Sequence, residues 1–201
     1  MAVYMTSGGA IPGRVALLNY IESTGAQYID TQVSGELPVS VSLKMRSGSG
    51  MSSADAVMCG MYQGSSGCMP VYLYQGKWVV SVGSVTDISP AGYLSDNTDY
   101  VVDVNMTTNS YEMKVNGASI LNGSISGGGN TNTLYLFARH DGNGVATRIA
   151  KGRIYYCRIY KGPTLVRDFV PAIDPNGEVC LYDKVEGKYH YNAGSGKFIG
   201  G

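Results

Sequence analysis

Histidine, nucleophile motifs and excess charge are all scarce in this sequence. Its only histidines are His140 and His190, and no Gly-x-Ser-x-Gly elbow occurs, so a serine-type triad lacks its usual strand-to-helix nucleophile turn. The four cysteines, Cys59, Cys68, Cys157 and Cys180, show none of the paired short spacings of a zinc site. They fall within or beside apolar strand patterns, as buried free thiols do, and a Cys59–Cys68 bridge is the geometric alternative. Gly127-Gly128-Gly129 is not followed by Lys-Ser or Lys-Thr, which removes a phosphate loop. Lysine plus arginine number 15, as do aspartate plus glutamate, so no net field draws nucleic acid or an anionic membrane. No apolar run approaches the roughly 20 residues of a membrane-spanning helix. Met1 to Arg14 lacks the basic start and continuous apolar segment of a secretory signal, and synthesis without such an address is the expectation. No long window carries a 3.6-residue apolar period, so helix should be scarce, and no internal repeat or charge block divides the chain.

What is present is the vocabulary of strands and turns. The chain holds 28 Gly and 16 Tyr, and 201 residues suit one large all-β domain, a size common among β-sandwiches. Residues 15–201 are expected to form that domain. Residues 1–14 are expected to be an arm, held by a neighbouring subunit or a groove, or added as an edge strand. Val39, Val41, Leu43 and Met45 alternate with Ser40, Ser42, Lys44 and Arg46, the period-two pattern of a half-buried antiparallel strand. Val57 to Gln63, Met69 to Gln75 and Lys77 to Val82 read as a meander, and residues 84–99 as a long polar loop. Tyr100 to Met106 and Tyr111 to Val115 follow, with Asn116-Gly117 as a hairpin turn whose two positions need positive φ. Leu134 to Arg139 reads as a strand and His140 to Gly144 as a turn.

The last fifty residues carry the clearest organisation. Ile154 to Tyr160 and Leu165 to Val170 are β-branched and aromatic runs, Asp174-Pro175-Asn176-Gly177 is a turn, and Glu186-Gly187 separates two further short strands. The pattern Gly152 to Cys157, Leu165-Val166-Arg167-Asp168-Phe169-Val170-Pro171, Gly177 to Tyr182 and Asn192 to Gly196 resembles a laminin-G-like, concanavalin A-like sandwich module of phage tail and virion proteins and of gut-bacterial surface proteins. Tyr20 to Thr31 resembles the start of the same module, so the two blocks bracket nearly the whole chain. The resemblance implies an all-β antiparallel β-sandwich of jelly-roll type, in which the Tyr20 block pairs near the C-terminal strands and closes the sandwich. It also implies a place on a phage particle or tail, or alternatively on a bacterial surface as part of a longer protein. Such sandwiches serve as lectins, glycosidases and inert structural domains alike.

Within that range, a glycosidase needs two carboxylates about 5–9.5 Å apart, and the hydrolytic relatives place them close together on one strand. The glutamates here, at 22, 36, 112, 178 and 186, form no Glu-x-Asp-x-x-Glu pattern. Calcium has weak candidate ligands in Asp141-Gly142-Asn143 and in Asp87 with Asp96 and Asp99, although Asp, Asn and Gly are also the ordinary residues of turns. Sugar binding needs an aromatic platform beside hydrogen-bonding groups. Tyr62, Tyr74, Trp78, Tyr93 and Asn97 form the densest such set, with core packing the favoured reading of Trp78. Arg167-Asp168 reads as a local pair at a strand edge. The reading that follows is a non-enzymatic module binding host-surface carbohydrate, without cofactor, nucleic-acid partner or membrane insertion. A structural virion protein whose sandwich and arm make contacts to other subunits or to copies of itself is the alternative.

Overall fold

The computed structural model describes residues 15–201; the arm expected over residues 1–14 lies outside them. Two antiparallel sheets pack face to face. The larger has eleven strands, and its main path runs Ala118–Ser124, Ser110–Val115, Asp99–Met106, Val39–Ser47, Lys151–Lys161, Thr164–Ile173, Val179–Asp183, Lys188–His190. Ile21–Thr24 pairs with both Lys151–Lys161 and Ile199–Gly200, so the start and end of the domain close on each other through backbone hydrogen bonds. The smaller sheet has eight strands, in the order Val145–Thr147, Arg139–Asp141, Asp55–Tyr62, Cys68–Tyr74, Lys77–Val82, Val85–Ile88, with Thr133–Leu136 joining Asp55–Tyr62 to Ile29–Ser34. Helix among the described residues is limited to two three-residue 3-10 turns.

The alternation in Val39–Ser47 is realised as read. Val39, Val41, Leu43 and Met45 are buried and Ser40, Ser42, Lys44 and Arg46 face outward. The smaller sheet behaves differently, because its central strands are buried on both faces. Ala56, Met58, Met61, Leu73, Trp78, Val80 and Val82 enter the main core, while Val57, Met69, Tyr72 and Val79 form a second apolar cluster on the other side. The Arg148 guanidinium lies 5.3 Å from the Tyr72 ring centre and donates to the Tyr72 hydroxyl at 2.6 Å. Two-sided burial explains the unbroken apolar runs of these strands.

Three sequence expectations are corrected. Leu134 to Arg139 is not one strand: Thr133–Leu136 runs antiparallel to Asp55–Tyr62, and Arg139–Asp141 runs parallel to it. Between them Phe137 adopts φ 65°, an unusual conformation for a bulky side chain. It is held there by its buried ring, by donation from its N–H to the Met58 carbonyl (2.9 Å) and by acceptance from the Ala150 N–H (2.7 Å). His140 is accordingly a strand residue, buried and stacked on Tyr135 at 4.1 Å, with Nδ1 2.8 Å from the Thr133 carbonyl. The polar loop of residues 84–99 begins with a further strand, Val85–Ile88, folded back on Lys77–Val82 through Gly83.

The turns form as their residues dictate. Asn116 and Gly117 both take positive φ. The Asp174 carboxylate accepts from the N–H groups of Asn176 (2.9 Å) and Glu178 (2.8 Å) and from the Tyr191 hydroxyl (3.2 Å). Asp96 likewise accepts from the N–H groups of Gly50 (2.6 Å) and Ser52 (2.5 Å). All four cysteines are buried free thiols, and burial pushes Cys68 up to about 12. Cys59 pairs with Val71 and Cys68 with Met61, so the two are not opposite each other across the hairpin.

Two outcomes follow. Trp78 is fully buried and packs edge-on against Tyr100 at 5.0 Å; Trp78→Ala should lower unfolding free energy by about 3–5 kcal/mol in denaturant titration. The backbone N–H of Glu178 chiefly holds the Asp174 carboxyl below its usual value, and those of Ser52 and Gly50 do so for Asp96. Because their folded pKa values lie below the unfolded value of about 3.9, their stabilisation is full above that pH and is lost as pH falls through the folded values. Asp174→Asn should therefore flatten the fall in melting temperature with acidification below about pH 4.

Candidate functional site

The outward face of the larger sheet carries a shallow groove of about 370 Å³. Two cross-strand rows build it. In one row Tyr160 stands opposite Ser40, Ser40 opposite Asn105, and Asn105 opposite Glu112; in the next, Arg158, Ser42, Asp103 and Lys114 are opposed in the same way. The two rows cross four strands, which at about 4.8 Å per step makes a trough of roughly 14 Å. Serines at 40 and 42 leave the floor low between longer neighbours. Their hydroxyls donate to Asn105 Oδ1 (2.7 Å) and Asp103 Oδ1 (2.6 Å). That orients the amide and carboxylate, leaving the Asn105 Nδ2 hydrogens as donors and Asp103 Oδ2 as an acceptor.

Lys114 lies 3.2 Å from Glu112 on the far wall, and the Tyr160 ring forms the near one. Hydrogen bonds from Ser119 and then from Lys114 hold the Glu112 carboxyl below its ordinary range, so it is an ionised acceptor. A hydrolytic acid needs the opposite shift. The groove thus offers fixed donors and acceptors beside one aromatic surface, an arrangement that complements a polyhydroxylated ring better than it supports proton transfer.

The aromatic content of this face depends on an irregularity. Strict alternation along Lys151–Lys161 would send one of Tyr155 and Tyr156 inward. The register against Val39–Ser47 shifts between Ile154 and Tyr156, and both rings come out half-buried on the solvent side. Such a bulge redirects a side chain at the cost of one ladder position. Arg158 then lies over Tyr156 (5.2 Å), Lys44 over Tyr155 (5.1 Å) and Arg153 over Tyr20 (4.0 Å).

The residues singled out from sequence do not converge. Trp78 is in the core, its indole N–H donating to the Tyr93 carbonyl at 3.0 Å, and no ligand can reach it. The structure corrects that choice: inward-facing Trp78, Val80 and Val82 belong to the apolar side of a strand buried on both faces. Tyr62 and Tyr74 lie at opposite ends of the Asp55–Tyr62 and Cys68–Tyr74 pair, roughly 20 Å apart along the strands. The Tyr62 ring sits under Arg139 (4.6 Å), while Tyr74 packs on Tyr72 (6.1 Å). Tyr93 and Asn97 share an exposed loop in which Asn97 adopts φ 52° as a turn residue.

The carboxylates considered for calcium are likewise engaged separately. Asp141 is bound by Arg139 (2.6 Å) and Thr147 (2.7 Å), Asp87 by the Tyr111 hydroxyl (2.7 Å), Asp96 by two backbone N–H groups, and Asp99 by Arg46 (3.1 Å) and the Tyr155 hydroxyl (2.9 Å).

The fold is that of the concanavalin A and laminin-G sandwiches. A Bacteroides ovatus protein provisionally assigned to carbohydrate binding superposes with a TM-score of 0.63 at 11% identity over 92% of this chain, which spans 60% of that protein. Domains LG4-5 of the mouse laminin alpha1 chain give 0.51 at 16% identity, covering 72% of this chain and 41% of that one. The CBM40 of the Ruminococcus gnavus IT-sialidase, bound to alpha2,3 sialyllactose, gives 0.57 at 13% identity, covering 74% and 93%. No protein-family model and no curated protein sequence matches the chain.

One further polar cluster lies at the opposite surface of the same sheet. Asp183, Glu186 and His190 bring three ligand-type atoms within 4.8 Å of one another, a spacing that also suits a metal. The Arg167 guanidinium already lies among them: Nη1 is 2.5 Å from Glu186 Oε1 and Nε is 3.6 Å from Asp183 Oδ2. Arg167 also donates to the Thr31 (3.0 Å) and Val166 (2.8 Å) carbonyls. Its positive charge takes the position that a cation would need, and the cluster is an ion network with Asp183 and His190 buried and Glu186 at the surface. Arg167 and Asp168, read from sequence as a local pair, in fact point to opposite sides of the strand, Asp168 pairing outward with Arg158 (3.2 Å) and Lys184 (2.8 Å). Arg167→Ala would strand the fully buried Asp183 carboxylate, and a loss of about 3–5 kcal/mol is expected in denaturant titration.

Proposed function

We propose that this protein is a non-catalytic carbohydrate-binding module that takes a glycan on the outward face of its larger sheet. The observation that carries this reading is the groove itself. Oriented amide and carboxylate groups of Asn105, Asp103 and Glu112 and the Lys114 ammonium surround a low serine floor, with the Tyr160 ring at one wall. A pyranose presents hydroxyls to such groups and an apolar face to such a ring. The carbohydrate-binding assignment of the Bacteroides protein and the sialyllactose complex of the CBM40 support the reading, since both are built on this sandwich. The lowered pKa of Glu112 keeps it an ionised acceptor for sugar hydroxyls and unsuited to act as a general acid. As its setting we propose the surface of a phage particle or tail, with a host-surface glycan as target and other virion subunits as neighbours. That part rests on the sequence resemblance of the Tyr20 to Thr31 and Gly152 to Gly196 blocks.

A glycan array followed by titration calorimetry tests the site. Tyr160→Ala and Asn105→Ala should each weaken binding about tenfold, the loss of roughly one stacking or hydrogen-bonding contact, with melting temperature nearly unchanged because both side chains face outward. Undiminished binding by the double variant, or no glycan bound by the unmodified protein, would overturn the assignment.

A further inference from the structure

Resting on that reading, we infer that the ligand is an extended neutral polysaccharide laid across the strands, held beyond the groove by a second aromatic platform at Tyr182, Tyr189 and Tyr191. The groove ends at Tyr160 and Arg158, but the face it belongs to continues for three more strands. One residue before the Cys157–Phe169 pair, on the outward side, stand Tyr156 and Val170; Val170 is opposite Tyr182, and Tyr182 is opposite Tyr189. The Tyr182 and Tyr189 rings lie 5.2 Å apart and Tyr189 and Tyr191 6.4 Å apart. The first two are half-buried, and Tyr191 is 42% exposed with its hydroxyl anchored on Asp174 at 3.2 Å. Strand pairing thus draws a row from Val170 through Tyr182 and Tyr189 to the sheet edge, with Tyr156 one residue beyond the last pair between Lys151–Lys161 and Thr164–Ile173.

Beside it runs the polar row that began in the groove. Ser42 is opposite Arg158, Arg158 is opposite Asp168, and Lys184 lies next to Asp168, donating its N–H to the Asp168 carbonyl at 2.9 Å. The hydrogen-bonding row runs from Lys114 to Lys184 over five strand steps, roughly 24 Å, and the aromatic row flanks its second half from Tyr156 to Tyr189. A single terminal sugar would use only one end of that track. A chain can place successive ring faces on the tyrosines and successive hydroxyls on the charged row.

The charge of the track selects the kind of chain. Three cations, Lys114, Arg158 and Lys184, are matched by three carboxylates, Glu112, Asp168 and Asp103. These pairs leave no excess along the polar row, and neighbouring Lys44, opposite Tyr156, has its ammonium over the Tyr155 ring, so hydrogen bonding and stacking must supply most of the affinity.

The test uses the full chain with disaccharides and octasaccharides of the glucan, mannan, xylan and galacturonan series. At least one neutral octasaccharide should bind about tenfold or more tightly than its disaccharide, the worth of one added stacking contact, with affinity nearly independent of salt. Tyr189→Ala should reduce octasaccharide binding to the disaccharide level and leave disaccharide binding unchanged. Tyr191→Ala, at an exposed position, should do so in part, and a cooperative melt checks that each variant is folded. Equal affinity for short and long chains, an unchanged octasaccharide affinity in both folded variants, or preference for galacturonan with strong salt dependence would each overturn this inference while the groove remains a sugar site. Absence of binding to every sugar by the unmodified protein would remove the groove reading, and this inference with it.

Discussion

The backbone ladder of the Lys151–Lys161 strand is the constraint on which the rest of the molecule depends. One of its edges pairs with Val39–Ser47 along nearly its whole length; its other edge is shared between Ile21–Thr24 and Thr164–Ile173. Segments more than one hundred residues apart are thereby brought into one sheet, and the ends of the domain close through the same strand by way of Ile199–Gly200. Its inward residues Ile154, Cys157 and Ile159 are fully buried in the core. A register error of one residue would turn these outward and Arg153 and Arg158 inward, at a cost in buried charge that far exceeds any gain.

The same strand produces the candidate site. Its bulge brings Tyr155 and Tyr156 to one face, where strict pleating would bring one. Its outward residues Arg158 and Tyr160 border the groove on one side, and their partners Ser40, Ser42, Asp103 and Asn105 provide the floor. On the opposite side of the sheet, the Arg167 network ties the Val179–Asp183 and Lys188–His190 hairpin to the Thr31 carbonyl. Arg167, Asp183 and His190 are buried there and Glu186 reaches the surface, whereas the outward face carries tyrosine, serine and surface ion pairs. The candidate site and the Arg167 network lie on the two sides of one sheet.

Much of this was legible beforehand. The period-two pattern of Val39 to Arg46, the hairpin at Asn116-Gly117, the turns at Asp174 and Glu186-Gly187, and the all-β class follow from short-range chemistry that residues carry with them, and the resemblance of the Tyr20 and Gly152 to Gly196 blocks supplied the sandwich. The polar positions of the groove were visible as polar positions, Ser40 and Ser42 in one strand and Asp103 and Asn105 in another. That they adjoin was not visible, because register between strands some sixty residues apart is set by the whole sheet. Sequence density of aromatics pointed instead to residues 62–97, where Tyr62 and Tyr74 separate to opposite strand ends and Trp78 turns inward. Neighbours along a strand alternate faces and move apart, whereas sites are made by neighbours across strands.

Composition and local pattern alone therefore determined the class of fold, the placement of most strands and turns, and the absence of recognisable catalytic or zinc-binding motifs. Tertiary structure alone decided which polar face is grooved, that two consecutive tyrosines share it, that Phe137 reverses the chain against its own steric preference, and that Arg167 is buried between carboxylates. Each of these depends on contacts between segments distant in the chain. Backbone pairing and core packing fix them jointly, and no single segment carries the information by itself.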